Sequence, residues 1–385
     1  MSRLMCFLLI PLLGTAALSG TKPLVELTIK NGEAYQGRVE LLEDEVVTLM
    51  QRDGRIRKLT RKKIASFRKV SDRFRPYRKE EIARRLKDEI SDQYRIRTTQ
   101  HYVIVQPKGS KTNYGAIFEN VFGAFHYQFR RRSIPLKRTE FPLIAIVFRN
   151  FREFAAYAKK DGLTATPGLL GYYHRHSNRV AVYESSRSAS LPADKGLVAG
   201  PMTVDGNVLM RAGSTDLAST ITHETMHQVG FNTGVHPRLG YVPKWIVEGL
   251  AMTFEAPGFL ATSGLAGTAT RINRDRFVWF RNFNKGRRGK GSLQAFIESD
   301  RVFQTNALDA YSEAWALTFF FLDQPARSYK YRQYLNKMNA RDLTKGYSKA
   351  ERVQDFKRAF GDMQKVEMNF LRYLEKLDPN SVASR

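Results

Sequence analysis

The chain has 385 residues, of which 42% are hydrophobic and 12% aromatic. It is therefore long enough for two or three domains with a large core, and too apolar for a disordered protein. Lysine and arginine number 63 against 37 acidic residues, a formal net charge of +26, which favours anionic polymers, membranes or acidic partners but carries no information about the fold.

The N-terminal segment is typical of an export signal. A short basic region precedes an apolar run over residues 4–18, which is short for a membrane span, and Ala17 and Ser19 are small residues suited to cleavage after Ser19. We predict a signal peptide over residues 1–19 and an exported protein, whether periplasmic, envelope-associated or secreted. An uncleaved anchor or a buried helix is the alternative. The one cysteine, Cys6, lies in this segment, so we expect no disulfide in the mature chain.

Short strands are predicted over residues 24–68. Apolar residues nearly alternate there, and Asn31-Gly32 and Asp53-Gly54 are typical hairpin turns. Four or five strands in so short a segment favour a small closed barrel. The segment resembles SH3-like barrels, including those appended to exported bacterial proteins. The resemblance implies an all-β domain over residues 20–72 with a binding or tethering role.

A strongly basic stretch overlaps the end of this domain. Residues 55–79 contain twelve lysines and arginines and one acid, Asp72. They form either a solvated strand edge with a linker, or a surface that binds an anionic polymer or the cell envelope. Residues 73–97 are expected to be a helical linker, because Ile82, Leu86 and Ile90 are spaced for one face of an amphipathic helix.

From residue 98 the pattern mixes helices and strands. The predicted elements are strands over 101–107 and 141–148, helices over 113–129 and 150–162, a hairpin over 171–184, and helices from 311 to the end. Residues 185–213 and 258–290 are poorly periodic and are expected to be long insertions. KGRRGKG, residues 285–291, is expected to be an exposed loop.

The segment STITHETMHQVGFNTG, residues 219–234, is predicted to form a helix. His223 and His227 are four residues apart, so both rings project from one face and can reach one metal ion. Glu224 lies beside that face. His-Glu-x-x-His is the helix pattern of zinc hydrolases, and two core histidines that share this spacing by chance are the alternative. A zinc ion needs at least one more protein ligand.

Two residues compete to be the third ligand. Glu248 lies in the middle of an apolar helix predicted around Trp245, where a carboxylate is costly to bury unless a cation compensates it. Gly249 beside it would let two helices approach closely. A surface glutamate is the alternative. His236 would have to fit the longer pattern His-Glu-x-x-His-x-x-Gly-x-x-His, but the required position is Thr233, so we prefer Glu248.

HETMH followed by WIVEGLA resembles the gluzincins, metallopeptidases whose third ligand is a glutamate on the helix after the motif helix. Residues 98 to about 375 are similar to peptidase-MA-like domains of exported bacterial proteins of unassigned function, with FPLIAIVF and ALDAYSEAWALTFFFLD as supporting segments. The resemblance implies an α+β, zincin-like metallopeptidase domain over residues 98–380, with a mixed sheet and active-site helices.

The resemblance also implies the roles of individual residues. One Zn2+ per chain would be held by His223, His227 and Glu248, with Glu224 as general base and Tyr311 as a donor to the developing oxyanion. A packed core tyrosine is the alternative for Tyr311.

The chain departs from some gluzincins at Met252, where they have an acid that orients a histidine. Glu255 or a backbone carbonyl is then expected to take that role. By analogy, residues 178–183 are expected to be the edge strand that pairs with an extended peptide or protein substrate.

Other histidines and aromatic residues carry weaker hypotheses. His174 and His176 share one face of a strand and offer an alternative metal site. Residues 271–283 mix arginines with aromatic residues that could stack on bases, but in an exported protein a basic helix with an apolar face is favoured, so no specific nucleic-acid partner is predicted. Two functions stay open: an exported zinc peptidase, or an envelope-associated polyanion-binding protein with a structural or vestigial zinc site.

Overall fold

The computed structural model describes residues 22–184, 208–210, 217–262 and 266–380, the second of these as backbone only. The predicted signal peptide, Cys6 and most of the 185–213 segment lie outside the described residues. Within the described ranges, no helix is both long and apolar enough to cross a bilayer.

The N-terminal region is an antiparallel sheet of five strands. The strands are β1 (Leu24–Ile29), β2 (Ala34–Leu42), β3 (Val46–Gln51), β4 (Ile56–Thr60) and β5 (Ile64–Ser71). Their order is β4-β3-β2-β1-β5. The two predicted hairpin turns are confirmed, and Gly32 and Gly54 have φ values of 91° and 85°, which a residue with a side chain rarely adopts.

The predicted closed barrel is wrong, because this sheet stays open. β4 and β5 lie at opposite edges, and no ladder joins them in the described residues. Closure requires the two edges to bond to each other. Instead, Ile56 at the start of β4 donates its N–H to the carbonyl oxygen of His176, at 2.8 Å, in the region that follows. A 3-10 turn at Arg61–Lys63 leads from β4 to β5, which pairs with β1.

The rest of the chain combines a second sheet with helices, so the fold is α+β as predicted. This mixed sheet has the order β11-β9-β10-β8-β7-β6, with β7, β8 and β10 parallel to one another. Its strands are β6 (Tyr94–Thr98), β7 (Tyr102–Pro107), β8 (Leu143–Phe148), β9 (Gly171–His174), β10 (Arg179–Tyr183) and β11 (Val208–Met210).

Fourteen helices are present in the described part of the chain. They are α1 (Lys79–Glu89), α2 (Tyr114–Arg131), α3 (Phe151–Lys160), α4 (Leu217–Asn232), α5 (Lys244–Phe254), α6 (Pro257–Leu260), α7 (Thr268–Arg271), α8 (Arg274–Gly286), α9 (Ser292–Glu298), α10 (Val302–Thr305), α11 (Ala307–Leu322), α12 (Pro325–Asn339), α13 (Lys349–Phe360) and α14 (Met363–Glu375). Ile82 and Leu86 are the buried residues of α1, as its amphipathic pattern predicts.

Both faces of the mixed sheet are covered by helices. Successive residues of a strand point to opposite faces, and in β8 Ala145 and Val147 pack in the cluster that contains α2, α4 and α5, while Ile144 and Ile146 pack with α1 and α3. A strand buried on both faces reads as a continuous apolar run, which explains the sequence of β8. α4 therefore lies between the sheet and the C-terminal helices.

The 258–290 segment is not a long insertion without structure. Outside residues 263–265, which the structure does not describe, it contains α6, α7 and α8. Phe277 and Phe280 are the buried aromatic face of α8. The predicted exposed loop after α8 is also wrong at Arg288, because its side chain is 2% exposed and pairs with Glu313 at 2.8 Å and Glu367 at 2.7 Å.

The close helix approach expected at Gly249 is present, but the partner of α5 is α11. A Cβ atom at this position would overlap the hydroxyl of Thr318 and the carbonyl oxygen of Ala314. Any side chain at 249 would therefore push the two helices apart. This contact fixes the helix that carries Glu248 against the helix that carries Tyr311.

The N-terminal sheet contacts the mixed-sheet region through polar and apolar groups. Glu89 at the end of α1 pairs with Arg55 of the β3–β4 turn at 3.1 Å and with the Arg179 guanidinium of β10 at 2.5 Å. Beside these pairs is a small apolar cluster that includes Met50 and Phe141.

Candidate metal centre

Helix α4 is buried along nearly its whole length, from Thr220 to Phe231. Its polar side chains are tolerated because the sheet supplies partners for them. The Gln228 amide donates to the carbonyl oxygens of Ile144 and Asn178, both at 2.9 Å. These bonds fix the rotation of α4, so the opposite face, with His223 and His227, is directed at α5.

Three side chains converge between α4 and α5. The Nε2 atoms of His223 and His227 are 3.0 Å apart, and Oε2 of Glu248 lies 3.3 Å from the first and 3.6 Å from the second. All three residues are at most 2% exposed. Within the described residues, these are the three His, Cys, Asp or Glu side chains that lie close enough together to hold a metal ion.

The spacing of these three atoms fits a metal ion. Ligands that surround zinc tetrahedrally at about 2.0–2.1 Å lie about 3.3–3.4 Å from one another, close to the three distances in this triangle. Within the described part of the chain, Oε2 of Glu248 is buried without a hydrogen-bond partner. A buried carboxylate oxygen in that state calls for a cation.

The pKa values of these side chains also indicate that the Glu248 carboxylate needs a positive charge beside it. Burial raises the pKa of Glu248, but its close contacts with the His227 and His223 rings outweigh burial and bring this pKa to about 2. Burial lowers the pKa of His223, yet the neighbouring carboxylates of Glu248 and Glu255 raise it to about 9. The pKa of His227 is lowered by burial. The carboxylate thus stays ionised and must be balanced by a proton or a metal ion.

Glu255, one of the supports expected from the sequence, orients the first histidine. Its Oε1 lies 2.8 Å from Nδ1 of His223. With the ring proton on Nδ1, the lone pair of Nε2 faces the cluster, as a metal ligand requires. For His227 the described residues provide no hydrogen-bond partner at Nδ1.

Glu224 lies beside the cluster and is held by the sheet. Its Oε2 accepts the backbone N–H of Tyr173 in β9 at 2.7 Å, and the residue is 0% exposed. The sequence could not reveal this contact, because a backbone donor has no residue-specific pattern. The predicted edge-strand role of residues 178–183 is wrong, since β10 pairs with β8 on one side and β9 on the other.

Tyr311 is buried near the cluster, on the first turns of α11. It is 4% exposed, and the Arg276 guanidinium lies 5.8 Å from the centre of its ring. Burial, and then the charges of Glu248 and Glu224, raise the pKa of Tyr311 well above its usual value. Its hydroxyl is therefore within electrostatic reach of both carboxylates and stays protonated.

The other candidate histidines are not part of this group. The His236 ring packs against Gly230 and lies 5.1 Å from the ring of Phe231, and burial lowers its pKa to about 3. The rings of His174 and His176 are 5.9 Å apart, and Nδ1 of His174 lies 3.0 Å from the Ser177 hydroxyl.

Comparison with known protein families gives a match to part of the chain. A family model described as a protein of unknown function, DUF1570, matches residues 217–342, which begin with α4 and end just after α12. The match covers about a third of the chain. No curated protein matches it. The matched segment contains all the residues of the cluster, but its description assigns no chemistry to them.

Proposed function

We propose that this chain is an exported zinc peptidase of the gluzincin type, with a zincin-like domain that hydrolyses peptide bonds. The observation that carries the proposal is the triangle of His223, His227 and Glu248, with Glu224 as the next residue on the motif helix. The proposal of export rests on the N-terminal sequence alone.

The donor set fits a catalytic zinc site. Two imidazoles and one carboxylate leave a fourth position for water or substrate. When bound, zinc supplies Lewis acidity and lowers the pKa of water toward neutrality. The residues of the chain provide the remaining steps.

Glu224 is the proton carrier of the proposed reaction. It accepts a proton from the attacking water as the water oxygen bonds to the peptide carbonyl carbon. It then donates this proton to the amide nitrogen while the C–N bond breaks. The Tyr173 N–H holds the carboxylate at 2.7 Å, which limits its rotation during both transfers.

Tyr311 is the proposed oxyanion donor. Its raised pKa keeps the hydroxyl protonated at neutral pH, so it can donate a hydrogen bond to the carbonyl oxygen as negative charge develops there. The packing of α5 on α11 at Gly249 fixes this helix relative to Glu248.

A second candidate is an envelope-associated protein that binds an anionic polymer and has a structural or vestigial metal site. Two observations favour it. Glu224 and His223 are both 0% exposed, as in a structural site. The 55–79 stretch also exposes basic side chains, namely Arg57, Lys58, Lys62, Lys63, Arg68, Lys69, Arg73, Arg75 and Arg78.

Glu224→Gln separates the two candidates. The substitution keeps the size of the side chain and leaves the three ligands in place, so zinc content should stay unchanged. Cleavage of a broad library of unfolded peptides should fall by about 10²–10⁴-fold, the usual effect of losing a general base. Glu80→Gln, on the exposed side of α1, is the matched control and should change neither measurement.

The library should include basic, acidic and cell-wall peptides. Retained zinc with collapsed cleavage supports the peptidase. Retained zinc, with no cleavage by either the wild type or the variant, would instead favour the polymer-binding protein.

A further inference from the structure

Asn273 precedes α8 and is 8% exposed, in a segment whose sequence suggests only an insertion. Its side chain makes three hydrogen bonds. Oδ1 accepts the N–H of Arg276 at 3.3 Å, while Nδ2 donates to Met252 O at 3.1 Å and to Glu255 Oε2 at 2.8 Å. One amide thus contacts the start of α8, the end of α5 and a carboxylate.

These three bonds have different purposes. The bond to Arg276 caps α8, and the bond to Met252 satisfies a carbonyl in the last turn of α5, where helical partners run out. The bond to Glu255 does neither. It reaches the carboxylate whose other oxygen lies 2.8 Å from His223 Nδ1.

The contacts form a continuous path from α8 to the metal centre. Asn273 holds one oxygen of Glu255, the other oxygen holds the His223 ring, and Nε2 of that ring is one corner of the triangle. Glu255 has a side chain that is 4% exposed, so water contributes little to its orientation. Because both oxygens of the Glu255 carboxylate are held, the carboxylate favours one orientation of the His223 ring.

We propose that Asn273 is a positioning residue of the metal centre, which sets metal affinity by orienting Glu255 and, through it, His223. The inference rests on the metal site of the proposed function, but it does not depend on hydrolysis. The residue that caps α8 would then support the metal centre, although α8 itself supplies no metal ligand.

Asn273→Asp distinguishes positioning from helix capping. Aspartate caps a helix about as well as asparagine, so α8 should still form. In its ionised form the aspartate carboxylate cannot donate a hydrogen bond, and it would face Glu255 at the distance where the amide now donates. Positioning should therefore be lost while capping is kept.

The test is the affinity of the full chain for Zn2+, measured by competition with a chromophoric chelator. Asn273→Asp should weaken binding by about 10–100-fold, the usual cost of losing a partner of a metal-bound histidine. Helical circular dichroism of the metal-free protein should not change. Asn113→Asp is the matched control, because Asn113 caps α2 by accepting the N–H of Ala116 at 3.3 Å and should bind zinc normally.

A reciprocal exchange provides the stricter test. In the double variant Asn273→Asp with Glu255→Gln, the new amide at 255 can donate to the new carboxylate at 273 and still accept from His223 with its oxygen. Zinc affinity should recover by at least about fivefold over Asn273→Asp alone, within the range of pairwise coupling. A residue that merely stabilised α8 would show no such recovery.

The proposal is overturned if Asn273→Asp binds zinc like the wild type, or if the exchange restores nothing. If Asn273→Asp does not fold, Glu255→Gln alone decides. Wild-type zinc affinity in that variant would show that the contacts through Glu255 do not affect the metal centre, and the proposal would be overturned. Failure of the peptidase proposal would appear separately, as tight zinc binding without cleavage.

Discussion

The N-terminal sheet and the α4–α5 pair place their charged side chains in opposite environments. In the sheet, the pair between Lys62 and Glu45 is 81% and 65% exposed. Between α4 and α5, the pair between His223 and Glu248 is 0% and 3% exposed. Pairs of basic and acidic side chains are therefore surrounded by water in one region and shielded from water in the other.

This difference determines what a substitution can do. An exposed pair contributes about 0–1 kcal/mol, because water and salt screen it. Removing one member of a buried pair leaves an uncompensated charge and costs about 3–5 kcal/mol. Surface charges should therefore act collectively and weakly, whereas each buried charge should be individually required.

Removal of a metal ligand should have the largest effect. The purified protein is expected to hold about one zinc per chain. His223→Ala and His227→Ala should abolish zinc binding and Glu248→Ala should weaken it severely, because each variant keeps only two of the three protein ligands. Elemental analysis after dialysis against a weak chelator measures this.

His236→Ala is the control for that prediction, since His236 is equally buried but lies outside the triangle. It should retain zinc. Normal zinc content in Glu248→Ala, together with loss in His236→Ala, would show that the third ligand has been assigned to the wrong residue.

An intermediate effect is expected from the basic surface. Replacing Lys58, Lys62, Lys63 and Arg73 by glutamine in the full chain should weaken binding to an anionic polymer by roughly tenfold at low salt, since each exposed pair contributes about 0.2–1 kcal/mol. The difference should nearly vanish at about 1 M salt, where the Debye length is about 3 Å. Titration by fluorescence anisotropy at both salt concentrations measures it.

A second set of three residues in α8 and the loop after it, Arg281, Lys285 and Lys290, tests whether the surface is correctly located. These residues are also exposed. If glutamine there weakens polymer binding and glutamine in the 58–73 set does not, the binding surface belongs to the helical region.

The smallest effect should come from Glu89, which is 35% exposed in its side chain. Burial raises its pKa, but Arg179 and Arg55 lower it further, so the net pKa lies below the usual value. A carboxyl with a lowered pKa stabilises the fold above its unfolded pKa of about 4.3, and this contribution is lost as pH falls through the lower folded value. Glu89→Gln should cost about 1 kcal/mol at pH 7, because Glu89 is the exposed member of its pair with Arg179 and the glutamine amide oxygen can still accept from that guanidinium.

Urea unfolding at pH 7 and at pH 3 measures this difference between Glu89→Gln and the wild type. The difference should shrink at the lower pH. An equal difference at both values would mean that the charge of Glu89 contributes nothing. Glu81→Gln, which removes a weaker pair with Arg52 at 3.7 Å, should have little effect at either pH.

Much of the fold follows from local patterns in the sequence. The alternation in β1, the Asn31-Gly32 and Asp53-Gly54 turns, and the apolar face of α1 each reflect short-range geometry. The spacing of His223 and His227 predicts their convergence for the same reason. Glu248 could be singled out because a carboxylate within an apolar helix requires a cation.

Properties that depend on distant partners could not be predicted. Nothing in the sequence of β4 reveals that Ile56 bonds to His176 rather than closing a barrel. β10 was expected at an edge, but strand order depends on where β9 pairs. Asn273 lies in a stretch without clear periodicity, and its contact with Glu255 crosses two helices, so its importance appears only in three dimensions.

The placement of the metal ligands also links the stability of the proposed enzyme to metal supply. His227 and Glu248 are separated by residues 228–247, so an ion between them would join two stretches of chain that are otherwise held by packing and by the hydrogen bond between His223 and Glu255. A metal present at a hundred times its dissociation constant adds about 2.7 kcal/mol to the free energy of unfolding. In a metal-poor compartment the unfolded state would be more populated, and the protein would be degraded sooner than its metal-loaded form. Cellular lifetime, as well as activity, would then follow the zinc concentration.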